Sequence, residues 1–216
     1  MLKAPAKILF SPEKIVYLSR KQIDIYLYQV DNFFSNLLCF QAILSTNEIR
    51  RAQRFRFRKD QNRFIICRSL LRQILSQYIE ILPEKIFFEY NYYGKPFLNI
   101  SQNPENFQFN LSHSGNMAAI GVVKGIEIGV DIEEIKEING MEDIIKRYGS
   151  KEEYEIYQSC TKCKKAKTFY RWFTRKEAWG KAHGFGFQAF GKINSHSLIK
   201  TILLKECILS ISLKEP

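Results

Sequence analysis

The stretch Ile126-Glu127-Ile128-Gly129-Val130-Asp131-Ile132-Glu133 alternates apolar residues with acidic or small ones. Side chains along a strand point to opposite faces with a period of two. Ile126, Ile128, Val130 and Ile132 therefore face a core, and Glu127, Gly129, Asp131 and Glu133 face the other way. On that second face Asp131 and Glu133 stand side by side, with Gly129 leaving space for a ligand. Adjacent carboxylates repel unless a cation lies between them, and oxygen ligands at this spacing suit magnesium. The same pattern also describes an amphipathic edge strand whose acidic face is solvated.

Reading outward, Phe107 to Leu111 and Met117 to Val123 form two further strands, joined through Ser112 to Asn116, and Lys124-Gly125 leads into the acidic strand. Upstream, Ile23 to Val30 reads as a strand, and Asp31 to Leu44 as a helix with Asp31 near its N-cap. Thr46 to Phe57 reads as a helix rich in arginine. Asp60 to Tyr78 is the clearest helix in the first half: Phe64, Cys67, Leu70, Leu71, Ile74, Leu75 and Tyr78 recur at three- and four-residue steps. Ile86 to Tyr90 is a strand, and Tyr92-Tyr93-Gly94-Lys95-Pro96 a turn. Downstream come helices over Met141 to Tyr148, Lys151 to Gln158 and Lys164 to Ala182, then a hairpin of Leu198 to Leu204 and Cys207 to Leu213. Strands and helices mix without strict βαβ alternation, so the expected class is α+β.

At 216 residues, with 45% hydrophobic and 25% charged residues, the chain has the composition of a soluble globular protein with one substantial core or two small packed units. No apolar run reaches the roughly 18 residues of a membrane span, and Met1 to Phe10 lacks the apolar core of a secretory signal. The expected compartment is the cytoplasm. Five scattered cysteines, an odd number, argue against a disulfide framework. Cys160 and Cys163 form one CxxC beside lysines; zinc needs four ligands, so the pair reads as reduced thiols in a basic loop. The net charge of +11 attracts polyanions: nucleic acid, anionic lipid, an acidic protein or a phosphate-rich small molecule.

Two further segments carry chemistry. On a helix through Phe169-Tyr170-Arg171-Trp172-Phe173-Thr174-Arg175-Lys176-Glu177-Ala178-Trp179-Gly180-Lys181, residues Phe169, Phe173, Glu177 and Lys181 share one stripe that begins aromatic and ends ionic. Glu177 and Lys181 are either a surface ion pair or two charges that meet a ligand. Phe109-Asn110-Leu111-Ser112-His113-Ser114-Gly115 collects hydroxyls, an imidazole and a glycine at a strand end, a set suited to phosphate oxygens or to a plain polar turn. A serine hydrolase is disfavoured because no Gly-x-Ser-x-Gly elbow surrounds Ser112 or Ser114.

Taken together and in this order, FNLSHS (109–114), GVDIE (129–133) and WFTRKEAWGK (172–181) followed by GFGF (184–187), with YGKP (93–96) upstream, resemble the motif series of the Sfp-type 4′-phosphopantetheinyl transferases. The resemblance implies a pseudo-dimer of two similar α/β halves, 1–106 and 107–216, with the active site at their junction near Phe107. It implies Mg²⁺-dependent transfer of 4′-phosphopantetheine from coenzyme A to a serine of an acyl or peptidyl carrier protein, releasing 3′,5′-adenosine bisphosphate. By the same resemblance Asp131, Glu133 and Glu177 hold Mg²⁺, and Ser112 and His113 contact phosphate oxygens. Arg63, Lys95 and Pro96 lie near the nucleotide, with Arg51 in the preceding helix. Lys176 contacts phosphate or is structural, Lys181 stabilises developing charge, and Glu177 assists deprotonation of the serine. Phe173 stands where relatives often carry tryptophan, with Trp172 just before it. The expected partners are the carrier and coenzyme A, with no nucleic acid, no membrane and a monomeric state. Two rivals remain at this point: a catalytically silent carrier-protein or coenzyme A-binding relative, and a nucleic-acid binder using Phe55, Phe57 and Phe64 among the arginines.

Overall fold

A computed structural model of the protein describes residues 14–18, 20–185 and 197–214. Of the GFGF motif, Gly186 and Phe187 lie outside the described residues, as do Met1 to Phe10. The strands are β1 (Lys14–Leu18), β2 (Lys21–Gln29), β3 (Phe88–Tyr90), β4 (Pro96–Leu98), β5 (Phe107–Ser114), β6 (Met117–Lys124), β7 (Ile128–Glu134), β8 (Ile199–Leu203) and β9 (Cys207–Leu213). The helices are α1 (Leu37–Ala42), α2 (Thr46–Gln53), α3 (Arg58–Ile79), α4 (Met141–Tyr148), α5 (Lys151–Ser159) and α6 (Lys162–His183).

Two antiparallel sheets pack face to face. The first has the order β1-β2-β6-β5 and the second β7-β9-β8, with β3-β4 a separate hairpin. On one face of the first sheet, Tyr26, Phe109, Ile120 and Val122 pack against Ile66, Leu70, Leu71 and Ile74 of α3. On its other face, Ile23, Ile25, Ala119 and Val123 meet Ile128, Val130, Ile132, Leu209 and Ile211 of the second sheet. Helix α6 covers the far side of the second sheet, where Thr174 Oγ1 meets Ser210 Oγ on β9 at 2.8 Å. The layers therefore run α3, first sheet, second sheet, α6. The alternation of Ile128, Val130 and Ile132 is what lets one strand present a dry face to the neighbouring sheet.

The α+β class stands. Four local expectations change. The helix expected over Asp31 to Leu44 is a 3₁₀ segment, Val30–Asn36, followed by the short α1. Asp, Asn and Ser side chains in that segment compete for backbone hydrogen bonds, which weakens an α-helix. The helix expected to reach Phe57 stops at Gln53, and Phe55 turns to pack on Phe64 with ring centroids 5.6 Å apart. The strand expected to end at Leu111 runs on to Ser114, so Ser112 and His113 belong to β5 and not to a loop. Finally, the junction expected near Phe107 falls inside the first sheet: β5 and β6 pair with each other and β6 pairs with β2. The change from one sheet to the next comes between Lys124 and Ile128.

Candidate active site

The site forms where the edge of the first sheet meets the edge of the second. β7 pairs with β9 on one side only. On its open side, three alternate side chains of β5 cap its backbone: Val130 N–H donates to Asn110 Oδ1 (3.0 Å), Ile132 N–H to Ser112 Oγ (3.3 Å) and Glu134 N–H to Ser114 Oγ (3.3 Å). Period-two polar residues in an otherwise buried strand thus close an edge that would otherwise be a free ladder. The same hydroxyls fix the carboxylates. Ser112 Oγ donates to Asp131 Oδ1 (2.9 Å), and Ser114 Oγ donates to Glu133 Oε2 (2.5 Å).

Helix α6 supplies the other charges. It approaches β7 closely because position 129 is glycine: a Cβ there would lie 1.9 Å from Ala178 O and 2.4 Å from Ala182 N. Gly129 therefore makes room for a helix, and not for a ligand as the alternation alone suggested. The close approach lets Lys181 reach across, its Nζ donating to Asp131 Oδ1 (2.6 Å), Ser112 Oγ (3.1 Å) and Val130 O (3.2 Å). Glu177, one turn earlier, lines the same cavity as Asp131 and Glu133.

That cavity has a volume of about 330 Å³. Ser112, His113, Asp131, Glu133, Glu177 and Lys181 line one side; Arg51, Phe64, Cys67 and Arg68 from α2 and α3 line the other. Leu111 and Phe173 add an apolar rim. Of the two candidate aromatic anchors, Phe173 faces the cavity, while Trp172 packs with Met141, Ile145 and Tyr157 beneath α4 and α5. A neighbouring groove of about 800 Å³ shares Arg51 and adds Arg50, Arg54, Phe87 and Tyr90.

Electrostatics at the site follow from burial. Desolvation raises the Asp131 pKa against the opposing effects of Lys181 and Ser112. Glu133 is raised by burial and by the Asp131 charge, with the Ser114 hydrogen bond working the other way. Glu177 is pushed up to about 7, first by burial and then, against the pull of Lys181, by Asp131 and Glu133. His113 reaches solvent but is set among protein on most sides; that surrounding, then Arg63 and Lys181, lowers its pKa. The shift favours the uncharged imidazole.

Other candidates lie elsewhere. Lys95 Nζ donates to Glu127 Oε2 (2.6 Å) and Ile128 O (3.0 Å), beside the C-terminus of α6 and away from the carboxylates. Pro96 opens β4 in the same hairpin. Lys176 is buried against α5, 3.0 Å from Glu153 Oε1, with its ammonium over the Trp172 ring. Lys176 is thus held in a buried ion pair. Arg63 bonds Asp60 at 3.2 Å and acts on the site through its charge near His113. Sequence reasoning gave no edge-capping role to Asn110 or Ser114, which it read only within a polar segment suited to phosphate oxygens, and no role to Glu48 or Arg68. The signal for the first two was present as polar residues two apart in the FNLSHS strand.

Three carboxylates with one ammonium suit a hard cation. Asp131 Oδ2 is buried and has no hydrogen-bond partner, an acceptor open to a metal. Among the described residues no three His, Cys, Asp or Glu side chains are gathered tightly enough to enclose a metal by themselves. Magnesium does not need such a cage: it keeps waters and takes one or two carboxylates together with substrate phosphates. Cys160 and Cys163 belong to no such group either, and all five cysteines are free thiols.

Fold and site together define an α+β protein with a cavity set between an acidic wall and a basic wall. Residues 33–124 match the family model for the 4′-phosphopantetheinyl transferase N-terminal region, and residues 127–207 that of the 4′-phosphopantetheinyl transferase superfamily. The chain belongs to the 4′-phosphopantetheinyl transferase family, and its activity is phosphopantetheinyl transfer. It is 35% identical to the 4′-phosphopantetheinyl transferase HetI of Nostoc sp. over 182 residues, 84% of this chain and 76% of that protein. It is 36% identical to psf-1 of Bacillus pumilus, over 64% of this chain and 59% of that protein. Against Sfp of Bacillus subtilis it is 30% identical, over 68% and 63%. The match boundary at 124–127 coincides with the change of sheet. Among the described residues no helix is long and apolar enough to cross a membrane.

Proposed function

We propose that the chain moves 4′-phosphopantetheine from coenzyme A onto a carrier-protein serine at the seam between β5, β7 and α6, with Asp131, Glu133 and Glu177 as the Mg²⁺-binding carboxylates. The observation that carries this reading is the unpartnered, buried Asp131 Oδ2 beside Glu133 and Glu177. When bound, Mg²⁺ supplies charge neutralisation at the pyrophosphate oxygens.

The chain's own groups supply the rest. The serine oxygen attacks the β-phosphorus; a new O–P bond forms as the bond to the 3′,5′-adenosine bisphosphate breaks, and the leaving group takes the electron pair. The serine proton goes to a base. Glu177 is the candidate to accept it, directly or through water; a carboxylate that also held Mg²⁺ would be a weaker base than the metal-free group. Lys181, held by Asp131 and Ser112, places a fixed positive charge where negative charge develops. His113, on the same cavity wall, donates a hydrogen bond to a phosphate oxygen. Ser112 Oγ already donates to Asp131 and accepts from Ile132 N and Lys181 Nζ, so its role is to position those groups. We also infer a pseudo-dimer, because each unit lays one 22-residue helix, α3 or α6, on one antiparallel sheet.

The test is mass spectrometry of apo carrier proteins incubated with the enzyme, coenzyme A and Mg²⁺. Gain of one phosphopantetheine, abolished by EDTA and by Asp131→Asn or Glu177→Gln, is expected. Full transfer by both variants would overturn the metal assignment.

A further inference from the structure

The hairpin β3–β4 stands apart from both sheets. A two-stranded hairpin is marginal by itself, so its place is set by what its side chains grip. At its base, Phe88 packs on Phe109 with ring centroids 5.7 Å apart, and Leu98 is buried in the core beside α3. At its tip, the turn over Asn91 to Lys95 is built around one side-chain amide. Asn91 Oδ1 accepts from Tyr93 N–H (3.0 Å) and Lys95 N–H (2.9 Å), and Gly94 N–H donates to Asn91 O (2.9 Å). The other end of that amide, Asn91 Nδ2, donates to Gly184 O (3.4 Å), just beyond α6.

Lys95 makes a parallel crossing. Its side chain is 13% exposed, and Nζ donates to Glu127 Oε2 (2.6 Å), on the link between the sheets, and to Ile128 O (3.0 Å), at the start of β7. Ile128 O and Val130 O lie two residues apart on the open edge of β7; Lys95 takes the first and Lys181 the second. Burial lowers the Lys95 pKa and the Glu127 carboxylate opposes that shift, so the pair keeps the charge in place. An ammonium has three donors; two are committed here to a carboxylate and a carbonyl, and β7 therefore dictates where the side chain sits. The hairpin tip is thus tied at two points to the elements that carry Asp131 and Glu177. The hairpin is also a wall: Phe87, Tyr90 and Gly94 line the groove of about 800 Å³ together with Arg50, Arg51 and Arg54 of α2.

We propose that Lys95 and Glu127 are positioning residues: with Asn91 they latch the hairpin tip to β7 and α6 and hold the groove at the width that admits coenzyme A, without Lys95 touching the ligand. The inference rests on the coenzyme A reading above. It gives Lys95 a role different from the nucleotide contact that the sequence resemblance implied, and it brings in Glu127, which that resemblance did not mark.

The experiment is steady-state transfer to an apo carrier protein over a range of coenzyme A concentrations on wild type, Glu127→Gln, Lys95→Met and the double variant. Amide hydrogen exchange of the ligand-free proteins runs alongside. Each single variant should raise the KM for coenzyme A by about 3- to 10-fold with kcat within about twofold, because a smaller fraction of the molecules holds the groove in its competent form. The double variant should be no worse than Lys95→Met, since both changes break one interaction. Exchange at the amides of Tyr93, Gly94 and Lys95 should quicken in all three variants while β6 stays protected. A KM that rises in Lys95→Met but not in Glu127→Gln, with tip exchange unchanged in Glu127→Gln, would make Lys95 a direct ligand contact and overturn the proposal. Unchanged KM in both single variants would overturn it as well. If Lys95→Met fails to fold, Glu127→Gln, at a 40% exposed side chain, is judged by the same two criteria. Absence of transfer by the wild type would overturn the coenzyme A reading itself, and tip exchange in Glu127→Gln would still decide whether the latch exists.

Discussion

Glu177 shows how a single position acquires its chemistry from its neighbours. Its carboxyl is pushed up to about 7 by burial and by Asp131 and Glu133. The folded state therefore favours the protonated form, so this group's contribution to stability is present at low pH and is lost as pH rises through its folded pKa. Metal binding needs the carboxylate, so the two effects oppose each other. We expect the gain in melting temperature on replacing EDTA with Mg²⁺ to be small near about pH 5.5 and to grow as pH rises to about 8. In Glu177→Gln that growth should flatten. A gain independent of pH in the wild type would place Glu177 outside the metal site. That Asp131 and Glu133 share one strand face, and Glu177 and Lys181 one helix stripe, was legible in the sequence from periodicity; that all four line one cavity was shown by the structure. Their charge states were not legible, because those depend on groups brought in from β5 and α6.

Among the elements, β5 and β7 show what periodicity can and cannot reveal. The alternation of 126–133 placed Ile128, Val130 and Ile132 in the core correctly. It did not reveal that Gly129 faces a helix backbone, or that Asn110, Ser112 and Ser114 cap the open edge of β7. Both facts concern which element lies opposite, and a strand's own letters do not say that. Two outcomes follow at this scale. Gly129→Ala should destabilise by about 3 kcal/mol or more in urea unfolding, the upper end of overpacking costs, since the Cβ meets backbone that cannot rotate away. An unchanged unfolding midpoint would contradict the close α6–β7 contact. Asn110→Ala should cost about 1–3 kcal/mol by orphaning the buried Val130 N–H, with coenzyme A affinity in the folded protein retained. Ser112→Ala should lose turnover as well as stability, because Asp131 and Lys181 both lean on that hydroxyl. Equal effects of the two substitutions on kcat would argue against the positioning role of Ser112.

For the molecule as a whole, the net charge of +11 is a statement about encounter. If the partner is an acidic carrier, kcat/KM for the carrier should fall by about tenfold as salt rises from about 50 to about 500 mM, since steering between opposite charges is screened over such distances. A salt-independent kcat/KM would mean that docking is governed by apolar contact. The α+β class, the family and the order of its motifs were determined by sequence alone, because they rest on local periodicity and on residue types at fixed spacing. The partition of the chain was decided only by tertiary structure: β5 and β6 follow the expected junction in sequence, yet they complete the sheet that β1 and β2 begin. The same holds for which basic residues reach the cavity. Lys95 and Lys176 sit in motifs but are held by Glu127 and Glu153, whereas Arg68, unmarked in the sequence, reaches the cavity wall. A motif fixes what a side chain is; only the packing of α2, α3, β7 and α6 around one cavity fixes what it can touch.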